Sequence, residues 1–366
     1  MPHSPDVTEL ERLGVYDPSA PDAEDRLRLI GRLFELGATT EEVVRAARLA
    51  GLGSLSLDLS IRPPGEAFGF DDFANRSGLD PVLVRRLWLA LGLPASGPMP
   101  LEVTPDAAEA LRLLVGLESM VGEDATLGVA RVIGSSMARL AESVASAIRI
   151  GIEVPKLDAG TRYSQVVEEY SASGRELLPQ VLDAVNAVFR RHLVLVSYQR
   201  WSTDEDMAAV TLERTVGFAD MVRSTEAVRA ESVAALAQMV RRFEELVWDV
   251  VTEVGGRVVK LIGDEAMFVV EDAAPACQIA LDLVERSPYP VRMGLAHGAV
   301  VGLFGDYYGE TVNLAARLVG VADGESVLVS ETVRREAADA FSFEAQPARS
   351  LKGFDEATVT YRLRGR

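Results

Sequence analysis

A single thiol, Cys277, is present in 366 residues. One cysteine excludes an intrachain disulfide and any cysteine-built metal centre, and it fits a reducing, cytoplasmic setting. Its surroundings, Pro275-Ala276-Cys277-Gln278-Ile279-Ala280, read as helix core. Positive charge is also scarce. The chain has 37 Lys and Arg against 55 Asp and Glu, a formal net charge of -18. That balance argues against nucleic acid or an anionic membrane surface as partner, while leaving room for a small basic pocket. Long apolar runs are missing too. The most apolar stretch, residues 125–150, is interrupted by Arg131, Arg139, Glu142 and Arg149. A membrane span needs about 20 mostly apolar residues, so none is expected. The opening Met-Pro-His-Ser-Pro-Asp has no basic segment ahead of an apolar run, and no secretory signal is expected there. Internal repeats and low-complexity tails are absent as well.

What is present is a globular composition, 48% hydrophobic, at a length where two domains are the prior. Residues 1–190 read as an all-α helical bundle. Thr39 and Glu42 have the spacing of a capping box, with Gly51 as a stop. Pro63-Pro64-Gly65 marks a loop, two short helices around Ser77-Gly78 follow, and Pro105 opens another helix. Further helices are expected over 125–150, with a break near Pro155, and over 163–191. Residues 191–206 read as a linker or switch segment. From 207 to 366 the texture changes. Strands are expected at 208–212, 215–218, 257–262, 266–270, 291–299, 326–329 and 357–363, with helices at 226–253, 273–285 and 310–320. This β-α-β-β-α-β order implies an α+β ferredoxin-like domain, an antiparallel sheet with helices on one face.

Three segments of that half carry chemistry. Phe218-Ala219-Asp220 ends a strand, and the segment continues through Met221-Val222-Arg223-Ser224-Thr225 into a helix N-terminus suited to phosphate. Lys260-Leu261-Ile262-Gly263-Asp264 places a second carboxylate in a tight turn. Two such carboxylates brought together can hold two divalent ions against a triphosphate. The third segment, Asp306-Tyr307-Tyr308-Gly309-Glu310-Thr311-Val312-Asn313-Leu314-Ala315-Ala316-Arg317, puts Asn313 and Arg317 four apart on one helix face. Taken singly, each of these residues also fits a turn, a cap or a solvated surface.

In this order and spacing the three segments resemble the catalytic motifs of class III adenylyl cyclases, over about 155 C-terminal residues. The resemblance implies an enzyme converting ATP to 3′,5′-cyclic AMP and pyrophosphate. It assigns Asp220 and Asp264 to two Mg²⁺ or Mn²⁺ ions, Lys260 and Asp306 to adenine, and Asn313 and Arg317 to ribose and transition state. Lys352 falls where the family carries a basic residue for the triphosphate. The chemistry agrees with the base assignment. A Lys donor and an Asp acceptor suit adenine's ring nitrogen and amino group, whereas guanine calls for an acidic residue at position 260. The resemblance also implies a head-to-tail homodimer whose two sites each draw on both chains. Two departures stand out: Val222-Arg223 where the family often has Gly-Phe, and Glu265 where a small residue is common.

The helical half resembles regulatory domains of soluble actinobacterial cyclases, and autoinhibition is the expectation. His192, beside Arg190 and Arg191, is a candidate for pH control. The Ala/Leu/Met-rich run 111–150 is a candidate site for a small apolar ligand. The two short helices at 70–91, with Arg85 and Arg86, have helix-turn-helix form, which the acidic charge disfavours as a DNA reader. The competing readings are a guanylyl cyclase, a catalytically silent nucleotide-binding dimer and a DNA-binding regulator.

Overall fold

The computed structural model describes residues 6–49, 51–65, 67–94, 102–198, 210–222, 233–354 and 357–365. Arg223, the second half of the expected linker (199–206), and the start of the helix expected at 226 lie outside them. The chain divides into two compact units, Met1–Ser197 and Tyr198–Arg366.

The first unit is helical. Its elements are α1 Val7–Arg12, α2 Ala23–Glu35, α3 Thr40–Arg48, α4 Leu52–Ile61, α5 Phe70–Ser77, α6 Pro81–Ala90, α7 Pro105–Val121, α8 Glu123–Ile148, α9 Val154–Asp158 and α10 Tyr163–Ser197. A two-strand ribbon, β1 Phe68–Gly69 with β2 Glu102–Val103, joins them. Local chemistry sets the breaks. Thr39 and Glu42 form a complete capping box on α3, and Gly78 closes α5 at φ 69°, a value that favours glycine. The break expected near Pro155 is instead a π-helical turn, Arg149–Glu153, through which the helix continues into α9. Pro155 lacks the N–H an ordinary ladder would use there, and the widened turn lies just ahead of it. α10 runs to Ser197, past the end expected near 191. Of the run 111–150, Leu111, Leu114, Leu127 and Ala130 are ordinary core, packed with Phe70, Phe73 and Trp88. The helix-turn-helix arginines are exposed, with Arg85 over the Phe70 ring and Arg86 paired with Glu123. A cavity of about 580 Å³ lies elsewhere, between α1 and α3.

The second unit is an eight-stranded sheet with helices. Its elements are β3 Thr211–Met221, α11 Val233–Glu253, β4 Arg257–Ile262, β5 Glu265–Val270, α12 Ala273–Arg286, β6 Val291–Leu303, β7 Asp306–Tyr308, α13 Glu310–Val321, β8 Val327–Val329, α14 Glu331–Ala337, β9 Ser342–Arg349 and β10 Thr358–Gly365. The strand order is β4-β5-β3-β6-β8-β10-β9, with β7 paired to β6. Two features differ from the sequence expectation. The sheet is mixed, because β6 and β8 run parallel. Helices cover both faces: α11, α12 and α14 pack over Ala219, Phe268 and Met293, while α13 packs over Phe218, Met267 and Ala296. Alternation along each strand makes both faces apolar. Gly294 admits α13, since a Cβ there would sit 2.4 Å from Ala315 O and Val319 N. Among the described residues no helix is long and apolar enough to cross a membrane.

Candidate active site

The α13 face of the sheet carries the charged residues of the motifs. Asp220, next to last in β3, stands opposite Glu265 on one side and Arg292 on the other. Its neighbours Ala219 and Met221 point into the α11–α12 core, so Asp220 points the other way. Arg292 Nε donates to Asp220 Oδ2 at 2.7 Å, with Nη2 at 2.6 Å. Asp264 occupies the β4–β5 turn, where Gly263 takes φ 64°. The Met221 N–H donates to the Asp264 carbonyl at 3.1 Å, which ties that turn to the end of β3. The two predicted metal carboxylates are thereby held at neighbouring strand ends. Glu265 completes an acidic group. Partial burial, then the charges of Asp220 and Asp264, push its carboxyl above the ordinary range, with Arg292 opposing.

The predicted base-reading residues meet directly. Lys260 Nζ donates to both carboxylate oxygens of Asp306, at 2.9 and 2.7 Å. Both side chains are partly exposed, 37% and 29%, so the pair is reachable. Asp306 begins β7 rather than sitting in a plain turn, and the Tyr307 N–H donates to its Oδ1 at 2.8 Å. Gly309, at φ 132°, sets the start of α13. Asn313 and Arg317 lie exposed on one face of that helix. Arg317 Nε donates to the Lys352 carbonyl at 3.1 Å, so α13 and the 350–354 loop meet through backbone, and Lys352 itself is exposed.

One charged residue of this site escaped the sequence reading, Arg292. Its signal was available: it is the lone charge in an otherwise apolar strand, between buried Val291 and Met293. Its partner, however, is set by register, 72 positions away in sequence. The arrangement offers clustered oxygen donors beside a guanidinium, a donor–acceptor pair, and an Asn–Arg helix face. It suits a polyanionic substrate with a hydrogen-bonding ring. The donor set fits Mg²⁺ or Mn²⁺, which favour carboxylate oxygen and take much of their coordination from water and substrate phosphates. Among the described residues no group of three or more His, Cys, Asp or Glu side chains is arranged to hold an ion by itself.

Residues 207–365 match the family model described as the adenylate and guanylate cyclase catalytic domain. An uncharacterized protein of Mycobacterium tuberculosis (strain H37Rv) is 34% identical over 99% of this chain and 95% of its own length. An adenylate cyclase of Streptomyces coelicolor is 33% identical over 72% of this chain and 70% of its own. Among solved structures, the adenylyl cyclase CyaB from P. aeruginosa superposes with TM-score 0.40 and 21% identity, covering 43% of this chain and 96% of that one.

Proposed function

The chain belongs to the adenylate and guanylate cyclase family, and on that premise we propose that it converts ATP to 3′,5′-cyclic AMP and pyrophosphate. The observation that carries the choice of ATP is the Lys260–Asp306 pair, a donor and an acceptor held within 2.7 Å of each other. Adenine's edge divides such a pair, taking the lysine on a ring nitrogen and giving its amino hydrogen to the aspartate. Guanine leaves both mismatched, and a mismatched polar site discriminates strongly.

Asp220 and Asp264 would hold two Mg²⁺ or Mn²⁺ ions. Such ions neutralise triphosphate charge and make the ribose hydroxyl more acidic. Arg292, resting on Asp220, is placed to follow the phosphate oxygens as they arrive. The 3′ oxygen attacks the α-phosphorus in line. The new P–O3′ bond forms as the α–β bridging bond breaks, pyrophosphate leaves, and the 3′ proton passes to water. Arg317 offers a planar fork of donors to the charge that grows on phosphorus, with its Nε edge fixed on the Lys352 carbonyl. Asn313, on the same helix face, orients the ribose, and Lys352 serves the triphosphate.

Each site is completed by a second copy, one chain giving the acidic pair and the other giving the base-reading and transition-state residues. Supporting this is a seam along α10 that is apolar except at His192. Leu178, Val181, Val185, Val188, His192 and Leu195 recur at alternating spacings of three and four, the coiled-coil pattern. Flanking it, Leu182 and Phe189 are 55% and 63% exposed. The helical unit, on this reading, pairs the chains and restrains the catalytic pair. The deciding experiment incubates purified protein with ATP or GTP and Mn²⁺ or Mg²⁺. Cyclic AMP from ATP is expected. A faster yield of cyclic GMP would overturn the choice of base, and no cyclic product with either would overturn the activity.

A further inference from the structure

The edge strand β4 breaks its own alternation at the residue that matters. Val258 pairs with Phe268 and Lys260 with Met267, so Val259 is an extra residue, a β-bulge. Arg257 and Lys260 are three apart, a spacing that in a regular strand puts side chains on opposite faces. The bulge returns them to one face. Arg257 stands opposite Val269 and Lys260 opposite Met267, and both partners belong to the apolar layer under α13.

Both side chains reach the same hairpin. β7 pairs with β6, and β3 and β5 lie between β6 and β4 in the sheet, so the β6–β7 hairpin folds back across this face to meet the edge strand. Arg257 Nη2 donates to the Gly305 carbonyl at 2.5 Å, and its guanidinium lies 5.6 Å from the centre of the Tyr307 ring. The residue between these two contacts is Asp306, gripped by Lys260. The hairpin tip has reason to need a tether. Phe304 and Gly305 take φ 51° and 82°, the two-residue turn that wants glycine or asparagine at both positions, and Phe304 holds the first at a steric cost.

We infer that Arg257 is a positioning residue that holds Asp306 in place for base selection. The inference rests on reading Lys260 and Asp306 as the base-selecting pair. Its physical basis is a division of labour. When a base enters between Lys260 and Asp306 their mutual grip is given up, and the hairpin loses one of its ties to β4. Arg257 binds the backbone and ring on either side of Asp306, not its carboxylate, so its hold survives substrate binding. Without it Asp306 drifts from the amino group it must accept from, and the preference for one base fades.

The test compares full-length wild type, Arg257→Ala, Arg257→Lys and Lys260→Ala, with kcat/KM measured for ATP and for GTP. The expected result for Arg257→Ala is an ATP-to-GTP ratio lower by about tenfold, the scale of one lost charged hydrogen bond felt by one base only. Arg257→Lys, which keeps a donor and a cation, is expected to recover most of that ratio. A ratio within about twofold of wild type in Arg257→Ala, while Lys260→Ala lowers it, overturns the inference and leaves the base-selecting pair standing. If Lys260→Ala leaves the ratio unmoved as well, the reading of the pair fails and the inference with it. Should Arg257→Ala not fold, Arg257→Met keeps the packing over Tyr307 without the donor and is judged by the same ratio.

Discussion

The helical unit and the sheet unit solve the burial problem differently. In the sheet unit each face has its own helical cover, and side chains such as Phe243, Phe268, Met293 and Leu295 are almost fully buried. The helical unit has two smaller clusters, one around Leu29, Ile30 and Leu33 and one around Leu87 and Leu111. It leaves Ile133, Met137, Ile150, Leu177, Phe189 and Leu193 largely exposed on α8, the π turn and α10. Scattered apolar residues on a surface are ordinary, whereas these recur along the two longest helices of the unit, α8 and α10. The difference separates chemistry from assembly. The sheet unit keeps its charged motif residues at one exposed polar site, and the helical unit leaves apolar side chains uncovered along its longest helices.

The largest expected effect tests the chemical side. Asp220→Ala or Asp264→Ala should lower kcat by roughly a thousandfold or more, the scale on which catalytic metal ions contribute. Circular dichroism should show the fold retained. Full activity in Asp264→Ala would remove the metal assignment. Arg317→Ala should cost about a hundredfold in kcat with less change in KM, as for one donor aimed at a transition state. Equal changes in both would make it a plain binding group.

Stability then sharpens the packing side. Gly294→Ala inserts a methyl against the α13 backbone and should destabilise the sheet unit by about 2 kcal/mol, read by chemical denaturation. A negligible change would mean that α13 sits less closely on the sheet than described. On the assembly side, Leu182→Glu with Phe189→Glu should shift the protein from dimer to monomer in light scattering and abolish activity, while helix content stays constant. A monomer of full activity would refute the shared site.

The smallest effect concerns pH. The Glu265 carboxyl is raised from its ordinary 4.5 by burial and by Asp220 and Asp264. A carboxyl raised in the folded state favours the protonated form there, so it costs stability as pH rises from 4.5 through its raised value. Glu265→Gln should therefore unfold at a higher temperature than wild type at pH 7. The gain should vanish below pH 4.5. A gain of equal size at both would show that charge is not the cause.

Much of the candidate site was legible because its parts are local. Asp220, Lys260 with Asp264, and Asp306 with Asn313 and Arg317 sit within short segments, and the Lys260–Asp306 pair forms as their chemistry suggests. The capping box at Thr39 and the stop at Gly78 were equally readable. What stayed hidden depends on register or on distant packing. Arg292 meets Asp220 only because β3 and β6 align at that row. The second helical layer depends on Gly294, whose missing side chain reads in sequence as nothing in particular. The edge strand β9 alternates only over Ser342-Phe343-Glu344-Ala345-Gln346, with Phe343 its one large apolar residue, and Pro347 inside it argues against a strand. The last turns of α10, through Leu193, Val194, Leu195 and Val196, are exposed and apolar, so no alternation of buried and solvated positions marks where the helix ends.

Val259 carries a lesson in parity. A strand counts in twos, and one surplus residue shifts the phase of everything after it. A chain lacking Val259 would leave Arg257 and Lys260 two apart, on one side of the sheet without any bulge, whereas a chain that kept Val259 in a regular strand would put Lys260 on the opposite side from Arg257. The bulge, and not the number of residues alone, therefore decides which charges meet at this edge. Loss of Val259 should therefore spare the base-reading pair, while an inserted residue that the bulge fails to absorb should part Arg257 from Lys260.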